Sequence, residues 1–343
     1  MKKEKIKIRP KRLNSASFCP KAAGGVAGYF FGYSAAFNKE QDLLVKKINE
    51  LHPIRLNNSY YKFINPILSY ETPSASEDPQ FAFLRNEISD FINAEKKKGL
   101  IKVSVYMSEL NQGRWIGVDS NDMYAPASMY KVVVMVAYFS AEENTPGLSD
   151  EKYIYTKNID EQAKNLGFDS LQVGQSYTVG DLINRMIIDS DNGAEALLSS
   201  HIDQNSLNSF LNLLNIKGAG PNGNFFISPK QYSLFFGILY NATYLNADSS
   251  EKALELLSQT TFNYGLVAGV PKNIVVAHKF GQYVGTGSDK IQGIQGEELH
   301  DCGIVYYPDN PYLLCVMTNG KDLDELESVI KNISSIVYQD VSK

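Results

Sequence analysis

An uninterrupted apolar run, residues 132–139, is typical of a helix buried inside a folded domain. The chain has 343 residues, which is enough to bury a sizeable core around such a helix. Two polar residues, Ser128 and Lys131, stand three positions apart at the head of the run. Residues at this spacing share one helix face. The pattern therefore predicts a core helix that begins with a hydroxyl group and an ammonium group side by side.

The periodicity of the remaining chain predicts an α+β fold. A helical pattern that ends near residue 98 precedes a strand hairpin, a mostly helical block from Ser128 to about Leu257, three more strands and a closing helix. The predicted strands are residues 101–106, 114–118, 274–280, 302–307 and 312–318. This order indicates an antiparallel five-stranded sheet, flanked by the terminal helices, with an all-α subdomain inserted between the strands.

The first 80 residues differ in composition from the rest of the chain. We predict a basic N-terminal segment at 1–21, a candidate membrane anchor at 22–38, a linker at 39–80 and one folded domain at 81–343. Residues 22–38 are uncharged and Gly-rich, but they fall short of the roughly 20 apolar residues of a membrane span. A tail of small residues or an uncleaved export signal is the alternative. An anchor would place the domain outside the cytoplasm, because the basic head stays inside.

Charge and metal-ligand spacing narrow the class of partner. The formal net charge is −5, and residues 1–12 contribute +6, so the rest of the chain carries −11. A body this acidic is a poor match for a phosphate backbone, and we expect no nucleic-acid partner. The histidines and cysteines show no metal-ligand spacing, and we expect no metal and no cofactor.

Cys302 and Cys315 fall on two neighbouring strands of a predicted hairpin. With the turn centred on Asp309 and Asn310, Cys302 lies opposite Met317, and the two cysteines are diagonal neighbours on one face. Bridged residues need Cα atoms about 5.5–6 Å apart. We therefore expect free, half-buried thiols.

The apolar run gives Ser128 and Lys131 a chemistry that exposed residues lack. Burial disfavours a charged ammonium, lowers its pKa and makes a neutral amine available as a base. Pro126 indicates that the helix starts at Ser128, where free backbone N–H groups favour an alkoxide or oxyanion. The pair has the form of a nucleophile beside its base. The alternative is an N-cap serine beside a lysine that reaches solvent.

Sequence context is needed because Ser-x-x-Lys also occurs at three other places. These pairs are Ser149/Lys152, Ser249/Lys252 and Ser328/Lys331. None of them precedes an apolar run. Ser149 and Ser249 are interpreted as helix N-caps, and Ser328 lies off the apolar stripe of the closing helix.

Two further short motifs stand at element boundaries. Ser190-Asp191-Asn192 opens an apolar helix, and Lys279-Phe280-Gly281 ends a strand. Taken alone, the first motif is an ordinary N-cap and the second an edge-strand lysine that prevents aggregation. The three motifs in this order along the chain, with Ser-x-x-Lys first, are a far more specific signal than any one motif alone.

The three motifs together resemble the penicillin-recognising serine enzymes, and most closely the class A β-lactamase-like serine hydrolases. The resemblance covers about residues 81–340. It implies a catalytic set in which Ser128 is the acylated nucleophile, Lys131 is its base or proton relay, and Ser190 and Lys279 pass a proton to the leaving nitrogen. It also implies substrate binding by Asn192, Gly281 and Gln282, with the backbone N–H groups of Ser128 and Gln282 as oxyanion hole.

Two departures from the family pattern limit this resemblance. The third motif usually has a hydroxyl where Phe280 stands, and an arginine that often follows on the next strand is replaced by Cys302, so carboxylate binding would rest mainly on Lys279. The family's Glu-x-x-Leu-Asn loop, whose glutamate activates the deacylating water, is also missing: no glutamate occurs between Glu195 and Glu251. We expect Glu195 itself on the exposed face of its helix.

The sequence leaves three functions open. The first is a serine hydrolase that acts by acyl transfer on a β-lactam or a related amide. The second is a D-Ala-D-Ala-type peptidase, which would take a peptidoglycan-like amide and needs no such glutamate. The third is a membrane-tethered acylation sensor or a non-catalytic descendant. In each case we expect a monomeric catalytic domain.

Overall fold

A computed structural model describes residues 54–55, 61–69, 77–98, 100–163, 169–217, 225–284 and 296–343. The helices are α1 (Ala82–Lys96), α2 (Lys131–Asn144), α3 (Lys157–Ala163), α4 (Val179–Ile188), α5 (Asn192–His201), α6 (Gln204–Leu213), α7 (Pro229–Tyr240), α8 (Ala247–Leu257) and α9 (Leu323–Val341). The strands are β1 (Ile54–Arg55), β2 (Ile67–Ser69), β3 (Lys102–Glu109), β4 (Trp115–Val118), β5 (Lys152–Ile154), β6 (Ser176–Thr178), β7 (Val276–Val284), β8 (Glu297–Val305) and β9 (Tyr312–Gly320).

Five of the described strands form one antiparallel sheet in the order β4-β3-β9-β8-β7. The chain builds β3 and β4 first, leaves the sheet for the helical block α2 to α8, and returns for β7, β8 and β9. Helices α1 and α9 cover one face of the sheet, and the helical block packs against the other. The predicted α+β arrangement is confirmed.

The apolar run after Lys131 lies in the core, as predicted. Residues 132–136 of α2 are all buried, because the helix is surrounded by the other helices and by the inner face of the sheet. A second apolar cluster lies on the opposite face of the sheet, beneath α1 and α9. This packing fixes the head of α2 against β7, where the third motif lies.

The prediction of free thiols is wrong, because Cys302 and Cys315 form a disulfide. They lie directly opposite each other on β8 and β9. The turn is centred one residue earlier than predicted: Pro308 and Asp309 hold its central positions, and the Asn310 N–H donates to Tyr307 O at 3.2 Å. The fixed φ of proline suits the first central position, and Asp309 takes a left-handed φ of 60° at the second.

Part of the stretch predicted as a linker packs on the folded domain. Phe63 and Ile64 are buried in the core, and the Glu251 carboxylate accepts hydrogen bonds from both of their backbone N–H groups. The segments predicted at 1–21 and 22–38 lie outside the described residues. Among the helices that the structure describes, none is both long and apolar enough to span a membrane. The anchor stays a prediction.

Candidate active site

Ser128 lies in a tight turn, Ala127–Tyr130, that leads directly into α2. The turn is held by the Met129 N–H, which donates to Pro126 O at 3.0 Å. Ala127 has a left-handed φ of 47°, which is uncommon for a residue with a Cβ and typical of strained backbone at functional sites. The Ser128 side chain is half-buried and stands three residues before Lys131, the first residue of the core helix.

Lys131 is the centre of the polar network. Its side chain is 0% exposed. Its Nζ donates to Ser128 Oγ at 2.9 Å, to Ser190 O at 2.7 Å and to Asn192 Oδ1 at 2.6 Å. The predicted contact between the hydroxyl and the lysine is therefore present, and the second motif supplies the remaining acceptors.

The second motif reaches Lys131 because of an unusual backbone at Ser190. Ser190 has a left-handed φ of 58° in the short link between α4 and α5. This backbone directs both the carbonyl and the hydroxyl of Ser190 to Lys131. The Asp191 carboxylate caps α5, accepting from the Ala194 N–H at 2.9 Å. It also accepts from the Ser170 N–H at 2.9 Å, which fixes the link to the preceding loop.

Lys279 meets the same serine from the sheet side. Its Nζ is fully buried and donates to Ser190 Oγ at 2.9 Å, while Lys131 Nζ lies 3.2 Å from that oxygen. Two lysines thus converge on one hydroxyl. Burial lowers the pKa of Lys131, partly opposed by the charges of Glu195 and Asp191. Burial and then the charge of Lys131 lower the pKa of Lys279 well below its usual value.

Gly281 allows β7 to approach the turn that carries Ser128. A Cβ on Gly281 would lie 2.3 Å from Pro126 O and 2.9 Å from the Met129 side chain, so a larger residue would push the strand away. Gln282 follows on the same strand with an exposed side chain. Of the residues chosen from the sequence, the structure joins Ser128, Lys131, Ser190, Asn192 and Lys279 by hydrogen bonds, and it places Gly281 beside them.

Glu195 was missed as a site residue, and its predicted exposed position is wrong. Its Oε2 lies 3.5 Å from Lys131 Nζ, and its side chain is only 21% exposed. It follows Asn192 by three residues on α5, and this spacing puts both side chains on one helix face. That spacing was the available signal, because Asn192 was already assigned to the site.

Phe280 occupies the place of the usual hydroxyl and covers Lys279. Its ring centroid lies 4.4 Å from Lys279 Nζ, and the ring stacks on Phe262 with centroids 4.2 Å apart. Cys302 stands opposite Lys279 on β8 and is bonded to Cys315, so no guanidinium lies there. The sheet side of the site is therefore aromatic at Phe280 and carries a disulfide opposite Lys279.

The other Ser-x-x-Lys pairs lie on the surface, with all three lysines exposed. The prediction that Ser149 and Ser249 are N-caps is wrong. Asn246 caps α8 and accepts from the Ser249 N–H at 2.9 Å, because an asparagine caps at least as well as a serine. Ser149 lies inside the turn Leu148–Asp150, where its hydroxyl donates to Glu142 at 3.0 Å.

The geometry agrees with the comparison to known families. Residues 83–341 match the beta-lactamase enzyme family. The chain belongs to this family. Together with the fold, this membership confirms the sequence resemblance: the protein is a β-lactamase-like serine hydrolase of the penicillin-recognising type.

Several solved structures of β-lactamase-type proteins are similar to this chain. The structure of PBP-A has 20% identity and a TM-score of 0.65, and the match covers 79% of this chain and 98% of that one. A class A β-lactamase from Mycobacterium abscessus has 19% identity and a TM-score of 0.60, with 76% and 100% covered. At these identities the likeness shows the fold alone. No curated protein matches the sequence significantly.

Among the described residues, no group of histidine, cysteine, aspartate and glutamate side chains is arranged to hold a metal ion.

Proposed function

We propose that this chain is a serine hydrolase of the class A type that forms an acyl-enzyme through Ser128 with a β-lactam or a related amide. The observation that carries the proposal is the 2.9 Å hydrogen bond between Lys131 Nζ and Ser128 Oγ, made by a lysine that is fully buried. Burial lowers the pKa of this lysine, which favours the neutral amine, and a neutral amine can take the hydroxyl proton.

The proposed acylation step uses the contacts in order. Lys131 accepts the proton of Ser128 as Oγ forms a bond to the substrate carbonyl carbon. The developing oxyanion is held by the backbone N–H groups of Ser128 and Gln282. When the carbon–nitrogen bond breaks, Ser190 gives its proton to the leaving nitrogen and is reprotonated by the lysines that meet at its oxygen. The Asn192 amide binds the carbonyl of the substrate's own side-chain amide.

One experiment tests the proposal. The full chain is mixed with a penicillin and with a chromogenic cephalosporin, and turnover is followed by absorbance while adducts are followed by intact mass. Repeated turnover supports the hydrolase. A persistent adduct of penicillin mass supports the second candidate, a D-Ala-D-Ala-type peptidase, which the missing loop glutamate and Phe280 favour. The absence of any adduct contradicts acylation by either route.

The pH dependence of acylation follows from the lysine. Because burial lowers the pKa of Lys131 from 10.5, we expect the acylation rate to rise with pH and to level off below pH 10.5. The rate is measured by acid quench and intact mass over a series of buffers. A rate that rises only around the pKa of an ordinary lysine would contradict Lys131 as the base.

Phe280 gives a prediction about substrate preference. Phe280→Thr adds a hydroxyl and uncovers Lys279, so we expect penicillin to acylate the variant roughly 10- to 100-fold faster, the value of one hydrogen bond to a charged group. The second-order acylation rate measures this change. Phe280→Leu is the matched control, because it removes the ring and adds no hydroxyl. If threonine gives no gain over leucine, carboxylate recognition does not depend on this position.

A further inference from the structure

Glu195 lies inside the polar network although it belongs to none of the three motifs. It projects from the first turn of α5, on the face that also carries Asn192. Its Oε2 is 3.5 Å from Lys131 Nζ, and the same Nζ is 2.9 Å from Ser128 Oγ. One lysine therefore joins the carboxylate to the proposed nucleophile.

Glu195 also faces the open side of the site. Lys131 is 0% exposed, but the Glu195 side chain keeps 21% of its surface in solvent, so water can reach the carboxylate. Burial, and then the negative charge of Glu195, raise the pKa of Tyr130 to about 12. Tyr130 lies beside Ser128 in the chain, and its ring packs edge-on against Phe225 at 5.5 Å. The carboxylate thus contacts the buried lysine, and its charge acts on a tyrosine of the turn that carries Ser128.

Glu195 lies among the titratable groups of the site. The titratable groups whose charges interact with it are Lys131, Lys279 and Tyr130. Among these, Lys131 is in direct contact and makes a charge-assisted pair with it. A carboxylate that is accessible to water and joined to Ser128 through Lys131 has the placement that a water-activating base requires.

We propose that Glu195 is the general base for the water that releases the acyl group from Ser128. This inference rests on the proposed acylation of Ser128. Glu195 would take the role of the missing loop glutamate from a different element, the first turn of α5 that begins at Asn192.

The proposed step balances as follows. The Glu195 carboxylate takes one proton from water while the water oxygen forms a bond to the carbonyl carbon of the Ser128 ester. The tetrahedral intermediate collapses by breaking the bond between that carbon and Ser128 Oγ. Lys131 takes the proton held by Glu195 and gives one to Oγ. The products are a free carboxylic acid and the restored hydroxyl, with no other reactant.

The test compares Glu195→Gln with the wild-type full chain, using penicillin and a chromogenic cephalosporin as probes. We expect the variant to form the Ser128 adduct and then to release it more slowly, by a factor on the order of 10²–10⁴, the usual contribution of a general base. Adduct lifetime is measured by intact mass after removal of free drug. Adduct formation itself shows that the variant is folded. Glu195→Asp should recover part of the release rate.

Glu87→Gln is the matched control, because Glu87 is exposed on α1, away from the site. It should release the adduct at the wild-type rate. Release by Glu195→Gln at the wild-type rate overturns the inference, and so does a wild-type adduct that is never hydrolysed; both leave acylation intact. Loss of adduct formation in Glu195→Gln also overturns it, in favour of a role in acylation. A wild-type chain that forms no adduct overturns the proposed function together with the inference.

Discussion

Ser128→Ala is expected to abolish the acyl adduct, with a loss of acylation on the order of 10⁶-fold, the size found when a serine nucleophile is removed from its catalytic set. The reason is that Ser128 Oγ is the hydroxyl that accepts a hydrogen bond from the buried Lys131 at the head of α2. Alanine keeps the turn and the packing of α2 but leaves no oxygen to attack. Intact mass after incubation with penicillin measures the result.

The chain supplies its own controls for this variant. Ser149→Ala, Ser249→Ala and Ser328→Ala each remove the serine of a Ser-x-x-Lys pair whose lysine is exposed. None of these three lysines is buried, so each pair lacks the buried lysine that contacts Ser128. All three variants should acylate like the wild type. An adduct that persists in Ser128→Ala would show that another residue is the nucleophile.

The burial of Lys131 explains why so much of the site could be predicted from the sequence. Two motifs lie at element boundaries, where local sequence is informative: a proline precedes the turn and an aspartate is the N-cap of α5. The predicted strand end at the third motif is wrong, because β7 continues through Lys279, Phe280 and Gly281 to Val284. The apolar residues after Lys131 indicate that its helix lies in the core, so that a lysine at the head of this helix is buried with it. Local pattern and chemistry therefore agree at these positions.

Glu195 and the disulfide escaped prediction for a different reason. A glutamate three residues into an amphipathic helix has the same local pattern whether it faces solvent or a buried lysine, and only the packing of α5 against α2 decides between the two. The pairing of Cys302 with Cys315 depends on where one turn is centred, and moving that centre by one residue changes every partner along β8 and β9. Both errors concern tertiary position rather than local structure.

Lys279→Met is expected to change stability and activity in opposite directions. Lys279 is fully buried, and its Nζ has Ser190 Oγ and the ring of Phe280 close to it. Methionine fills a similar volume without a charge. We expect adduct formation to fall by about 10²–10⁴-fold, because the proton path to the leaving nitrogen and the cation for a carboxylate are both lost. We expect the free energy of unfolding to rise by about 1–2 kcal/mol at neutral pH.

The sign of the stability change follows from the pKa of Lys279. Burial and the charge of Lys131 depress this pKa in the folded chain well below 10.5. Between the folded pKa and 10.5 the unfolded chain binds more protons, so the stability of the wild type rises with pH across that window. The loss of stability caused by burying the charged Lys279 is fully present below the folded pKa and absent above 10.5. The gain from Lys279→Met should therefore shrink as the pH is raised towards 10.5.

Urea unfolding at several pH values measures this gain, and Lys272→Met is the matched control because Lys272 is exposed. The control should change the unfolding free energy by less than about 0.5 kcal/mol at every pH. A loss of stability in Lys279→Met would mean that the contacts of the ammonium outweigh its desolvation. The expected gain would instead mean that the desolvation of the buried ammonium costs more stability than its contacts provide. A lysine at such a position is then explained by its contact with Ser190 and by what it does to a substrate.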